Sequence, residues 1–212
     1  MAAEKYNYRG GENTGFYATV TDSYVLVPPN FKRKEFFDIE VVETQISKTR
    51  LVGLFSAGNS NCLLIPRETS DLELNVLESS DVNFKVLDSR YNALGNLILC
   101  NDKGALISEK LSEFKDVIED ALDVPVTIGS IAGLNPGVCG VCNSKGAVIH
   151  RDANEEDAEL VKDALDVERV GIGTVSLGSP YMGSGALTNS EHMLVSEETS
   201  GPEIGRLDST LF

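Results

Sequence analysis

Long apolar runs are missing from this 212-residue chain; none approaches the roughly 20 residues that a membrane-spanning helix needs. The first 13 residues are polar and of mixed charge, without the apolar centre of a secretory signal, so a cytoplasmic protein is expected. Basic residues are in short supply, 18 against 33 acidic, for a net charge of −15. Residues 1–50 are balanced, so residues 51–212 carry the whole imbalance. Such a surface repels phosphate at long range and favours encounter with a basic protein. Lys32-Arg33-Lys34 is the single basic cluster and reads as a solvated face, because three charges neutralise few phosphates. Histidine is limited to two residues and cysteine to four. Only Cys139 and Cys142 stand at chelate spacing, with no second pair and no histidine nearby. Read on a strand, positions three apart point to opposite faces, so no metal site is expected and the thiols read as small buried side chains. Linkers and low-complexity runs are absent too, so a single domain over residues 1–212 is expected, with one good core or two small ones.

What the chain does have is a repeat. Leu94–Ser108 holds two short apolar runs, Leu97–Cys100 and Ala105–Ile107, around Asn101-Asp102-Lys103-Gly104. These are strand lengths around a turn, with Gly104 expected at positive φ as a bulge glycine. The same hairpin recurs at Asn143, Asn59, Asn189 and, with threonine in place of asparagine, Thr21. Four intervals from Thr21 to Asn189 average 42 residues, a period that signals an array or a closed ring. Tyr24, Cys62 and His192 replace glycine at the fourth turn position, which predicts a different turn in those copies.

A helical pattern follows each hairpin. Ser108 precedes Leu111, Phe114, Ile118 and Leu122; Asn154 and Asp157 precede Leu160, Val161, Ala164 and Leu165. Ser70 with Glu73 reads as a capping box, Ser200 starts the last helix, and Asn30–Ile39 is the least regular copy. A further strand then opens on Asp-Val at Asp81, Asp123 and Asp166. Each unit thus reads ββαβ, roughly 13–52, 53–92, 93–135, 136–178 and 179–212. Such a unit cannot close its own core, so five must pack side by side in a ring with strands lining the axis. The glycine-rich joints would then lie in a circle on one face.

The run Asn92–Ser108, Leu51–Asn59 and Gly173–Ser179 resemble the translation initiation factor 6 family, and the likeness covers about residues 13 to 212 in order. The resemblance implies the pentein fold, a five-bladed α/β propeller, and a role that is not enzymatic and uses no cofactor. The family binds the large ribosomal subunit, near a basic ribosomal protein of the intersubunit face and the sarcin–ricin loop. It thereby blocks joining of the small subunit, and it also serves large-subunit biogenesis. Release involves a Shwachman–Diamond-type protein and a translational GTPase. A chain ending at Phe212 resembles archaeal members, acting as a monomer without membrane. On these grounds the ribosome-facing candidates are Gly15, Leu54, Asn96, Tyr181 and Met182, all in the joints; the last two read as exposed anchors. The rival reading is a guanidino-group-modifying enzyme of the same fold. That chemistry needs a nucleophilic cysteine near the C-terminus, and the last one here is Cys142.

Overall fold

The hairpin–helix–strand order of each unit builds one small mixed sheet, and five such sheets stand around an axis in the computed structural model, which describes residues 2–212. Strand β1 (Ala2–Lys5) comes first and is set aside for the moment. The first unit holds β2 (Thr19–Val20), β3 (Tyr24–Val27) and β4 (Glu40–Glu43). The second runs α1 (Val52–Phe55), β5 (Ala57–Gly58), β6 (Leu63–Pro66), α2 (Asp71–Glu78) and β7 (Phe84–Leu87). The third runs α3 (Leu94–Leu97), β8 (Ile98–Cys100), β9 (Ala105–Ile107), α4 (Lys115–Leu122) and β10 (Val126–Ile128). The fourth has α5 (Pro136–Cys139), β11 (Gly140–Cys142), β12 (Gly146–His150), α6 (Glu155–Leu165) and β13 (Arg169–Gly173). The fifth has α7 (Met182–Gly185), β14 (Ala186–Thr188), β15 (His192–Val195) and α8 (Gly201–Leu211). In every sheet the first two strands are antiparallel and the third lies parallel to the middle one. The fifth unit has no third strand of its own. β1 fills that place, with Ala3, Glu4 and Lys5 in parallel register with Met193, Leu194 and Val195.

The middle strands β3, β6, β9 and β12 are buried along their whole length, because each sheet is covered by the helix of the following unit. Ile118 and Leu122 of α4 lie on Leu64 of β6. Val161 and Leu165 of α6 lie on Leu106 of β9, and Leu207 and Leu211 of α8 on Val148 of β12. Leu77 of α2 meets Leu26, and Phe37 meets Leu194. The apolar core is therefore not one mass: it is divided into five clusters, one at each unit boundary.

The expected capping boxes are formed. Ser70 N donates to Glu73 at 2.8 Å, and Asn154 and Asp157 bond each other's backbone. Asn30–Ile39 does not form a full helix. Asn30 takes φ 67°, and only the 3-10 turn Lys34–Phe37 remains, with Phe31 and Phe37 fully buried. Leu97 and Cys139 belong to the one-turn helices α3 and α5 rather than to strands.

The hairpin turns differ from expectation in an instructive way. Gly104 and Gly146 are not at positive φ. All five copies share one turn: the Asn Oδ1, or Thr21 Oγ1, accepts the backbone N–H groups two and three residues on. Glycine stands at the fourth position for packing. A Cβ on Gly104 would lie 2.0 Å from the Ala164 carbonyl oxygen, and one on Gly146 2.2 Å from that of Thr210. The helix of the next unit rests directly on the turn. Each Asn amide then donates outward. Asn59 reaches the carbonyls of Asn101 and Leu122, Asn101 those of Asn143 and Leu165, and Asn143 those of Asn189 and Leu211. Asn189 continues to Phe37. One side chain thus shapes its own turn and binds it to the next turn and the next helix end.

Candidate functional site

Strand direction sorts the molecule into two ends. The second strand leaves each hairpin turn, the helix returns toward it, and the third strand runs away again. Hairpin turns and helix C-termini therefore share one end; helix N-termini, joints and one-turn helices share the other. The five joints span residues 6–13, 44–51, 88–93, 129–135 and 174–181.

The joint end is built around a collar of glycines. Gly15, Gly53, Gly95, Gly137 and Gly183 each stand second in a one-turn helical segment, the first of them the 3-10 turn Thr14–Phe16. An ideal Cβ on Gly15 would lie 2.1 Å from the Gly183 carbonyl oxygen. For Gly53 the partner is Gly15 at 2.2 Å, and for Gly95 it is Gly53 at 1.8 Å. Gly137 meets Gly95 at 2.2 Å and Gly183 meets Gly137 at 2.0 Å, so the circuit closes. Only a residue without a side chain lets five backbones touch in this way. Below the collar the axis holds a cavity of about 110 Å³ lined in part by Cys100 and Cys142. It narrows toward the turns to about 20 Å³, room for about one water molecule. Asp22 closes that end by accepting from Ser144 and Ser190, on two other units.

Of the residues that follow the collar glycines, Phe16, Leu54, Asn96 and Val138 are half-buried, while Ser184 is buried. None is charged. Leu54 and Asn96 are therefore both partly accessible beside the collar. Tyr181 is 45% exposed, and its ring edge meets buried His150 with centroids 5.8 Å apart. Met182 is not an exposed anchor: it is fully buried with Val175, Met193 and Leu207, because the chain re-enters the interior one residue after Tyr181. Gly15 is buried in the collar and presents no side chain.

Four of the joints carry strained turns that were not expected from the sequence. Arg9 and Gly10, Ser47 and Lys48, Ala132 and Gly133, and Ser176 and Leu177 are consecutive left-handed pairs between bridged flanks. Left-handed backbone is costly for residues with a Cβ, and in three of these four turns a carboxylate holds it in place. The capping residue Glu73 accepts from Lys48 N at 2.7 Å, and Asp157 from Ala132 N at 3.3 Å. Glu203 accepts from Gly178 N at 2.8 Å, from Ser200 N at 2.7 Å and from Thr174 Oγ1 at 2.7 Å. Partial burial pushes the Glu203 carboxyl up, but these donors together hold it down at about 2. An unfolded glutamate titrates near about 4.3. The stability Glu203 contributes is thus complete above that value and lost as pH falls toward 2, on the order of 2 kcal/mol after allowance for solvent. In a Glu203→Gln variant, denaturant midpoints between about pH 5 and pH 2.5 should fall less steeply than in the parent.

The four thiols are poor nucleophiles. Burial pushes Cys62 up, Cys139 to about 11, Cys100 to about 12 and Cys142 well above the ordinary thiol range. Covalent attack on a guanidinium needs the opposite shift. Among the described residues no cluster of three or more His, Cys, Asp or Glu could hold a metal ion, and no helix is long and apolar enough to cross a membrane.

A family model described as the eIF-6 family matches residues 3–210. Translation initiation factor 6 of Thermococcus onnurineus (strain NA1) is 36% identical over 225 aligned positions, covering 100% of this chain and 98% of that protein. The namesake protein of Pyrococcus abyssi (strain GE5 / Orsay) is 35% identical, covering 100% and 99%. That of Methanosarcina mazei is 37% identical, covering 93% and 92%. Among solved structures, a mutant of DDAH from Pseudomonas aeruginosa complexed with citrulline superposes with a TM-score of 0.49 at 10% identity, over 75% of this chain and 68% of that one.

Proposed function

The chain belongs to the eIF-6 family, a family of translation factors rather than enzymes, and from that membership we propose that it binds the large ribosomal subunit through its joint end and keeps the small subunit from joining. The observation that carries this reading is the uncharged, half-buried set Phe16, Leu54, Asn96 and Val138, each next to a glycine of the close-packed backbone collar. A surface that costs little to desolvate and does not change shape on contact suits a stable protein interface. A standard interface would cover about 800 Å² of this partner, roughly a tenth of its 9067 Å² surface. The rest of the disc then projects from the subunit as bulk, and no chemistry is required. The acidic helices outside this set complement a basic ribosomal protein of the intersubunit face and would speed encounter. Contact in the vicinity of the sarcin–ricin loop, a part in large-subunit biogenesis, and release by a Shwachman–Diamond-type protein with a translational GTPase belong to the same reading.

Co-sedimentation with purified large and small subunits tests it: binding to large subunits alone is expected, and a chain that never travels with them refutes it. Within the face, Leu54, Asn96 and Tyr181 are the contact residues. Tyr181→Ala should weaken large-subunit binding about tenfold while moving the melting temperature by no more than a few degrees, because the ring is half in solvent. Unaltered affinity would remove Tyr181 from the interface.

A further inference from the structure

Two glutamates divide their oxygens in the same way between a helix and a joint. Glu73, three residues past the N-cap of α2, accepts on Oε2 from Ser70 N at 2.8 Å and Ser70 Oγ at 2.9 Å, and on Oε1 from Lys48 N at 2.7 Å. Glu203, at the same place in α8, accepts on Oε2 from Ser200 N at 2.7 Å and Ser200 Oγ at 2.8 Å. Its Oε1 accepts from Gly178 N at 2.8 Å and Thr174 Oγ1 at 2.7 Å. In both, Oε2 caps the helix and Oε1 holds the joint that leads into that unit; Leu177 N adds a longer contact to Glu203 Oε2 at 3.3 Å. The joints so held are those whose left-handed pairs lack glycine: Ser47 and Lys48 at φ 52° and 61°, Ser176 and Leu177 at 48° and 58°. In the Ala132–Gly133 turn glycine takes the second place, and Asp157 serves cap and joint with one oxygen, Oδ2, at 3.0 and 3.3 Å. In the third unit the corresponding residue is Leu111, fully buried, and joint 88–93 has no left-handed residue at all. Grip and strain therefore vary together from unit to unit.

We propose that Glu73 and Glu203 are positioning residues of the subunit-binding end, acting through the joints and touching no partner themselves. Glu73 fixes Lys48, six residues before Leu54, and Glu203 fixes Gly178, three residues before Tyr181. Each of those contact side chains is thus set from the helix of its own unit. The inference rests on the ribosome-binding reading and adds the groups that shape the face before contact. A left-handed pair with two Cβ atoms relaxes toward ordinary backbone once its acceptor is withdrawn. The free joint then spends only part of its time in the binding shape, and apparent affinity falls by that fraction. Glutamine separates the two tasks. Its one carbonyl oxygen can still cap the helix, since glutamine serves in capping boxes, but its amide would set N–H against the joint N–H. Aspartate keeps both oxygens, and Asp157 reaches a joint amide from this position at 3.3 Å.

The test compares the parent with Glu73→Gln, Glu203→Gln, Glu73→Asp and Glu203→Asp. Glu78→Gln, at an exposed position of α2, removes the same charge without touching a joint. Two quantities are measured where all variants are folded: affinity for purified large subunits, and hydrogen exchange of the Lys48 amide in the free protein. Each glutamine variant should bind about tenfold more weakly, as for a joint in its binding shape about a tenth of the time. Lys48 exchange should quicken in Glu73→Gln and stay at the parent rate in Glu203→Gln. The aspartate variants should recover most of the affinity, and Glu78→Gln should match the parent. Parent-like affinity in a glutamine variant would overturn the positioning role of that residue. Affinity lost by Glu73→Gln without faster Lys48 exchange, or aspartate variants as weak as the glutamine ones, would reduce these glutamates to helix caps. Each of those results leaves ribosome binding standing. Failure of the parent to bind large subunits would overturn both.

Discussion

Gly95→Ala should cost this protein about 3 kcal/mol or more, a large effect for one methyl group. The added Cβ would lie 1.8 Å from the Gly53 carbonyl oxygen, 2.9 Å from its carbon and 3.0 Å from the Ser56 carbonyl oxygen. All are backbone atoms, so no rotamer change can relieve the overlap. Relief requires one unit to move outward against the next, and that opens the helix-on-sheet contacts on both sides. Core overpacking ordinarily costs about 1 to 3 kcal/mol where side chains can adjust. Here they cannot. Gly205→Ala is the matched control: it lies inside α8 with nothing within 4 Å of its Cβ position. That change should stabilise by about 0.5 to 1 kcal/mol, since alanine is the better helix former. Denaturant unfolding of the two variants measures both. Equal losses would mean that the collar yields and does not set the packing.

Removing residues 1–5 should be at least as damaging. It strips β1 from β15, leaves the fifth sheet with two strands, and bares the edge of Met193, Leu194 and Val195. An unpaired apolar edge is an aggregation site, so the shortened chain should unfold at lower denaturant and self-associate. The strand is needed for its place and not for its position in the chain. A permuted protein carrying residues 2–8 after Phe212 would restore the ββαβ order of units two to four. It should recover most of the lost stability. Stability that returns only with an N-terminal strand would contradict this account.

The ring was legible in the chain because the turn asparagines are identical in chemistry and nearly equal in spacing, and because Ser70 with Glu73 and Asn154 with Asp157 announce their helices. What stayed hidden was anything decided by a distant partner. β1 is a polar N-terminal stretch whose strand character comes from β15, nearly two hundred residues on. Gly104 looks like a turn glycine, yet its reason lies in the Ala164 carbonyl of the next unit. The one-turn helices are four residues long, too short for any period, so Val52–Phe55 and Leu94–Leu97 read as apolar joints. Met182 shows the same limit within the candidate face. Glycine and serine around it suggest an exposed loop, whereas the backbone turns inward at α7. The five glycines do share the spacing of the turn asparagines, so the collar could have been found by aligning the repeats one step earlier in each unit.

The collar also bears on how such a protein could have arisen and how far it could change. Open arrays of repeats lengthen or shorten freely, because each module answers only to its two neighbours. Here the bare backbones meet at a common centre, and their contact distance sets the radius. A sixth module would pull them apart and leave a hole, and a ring of only four would drive them into one another. Copy number is thereby locked by geometry at the hub, and variation is left to the spokes and tips.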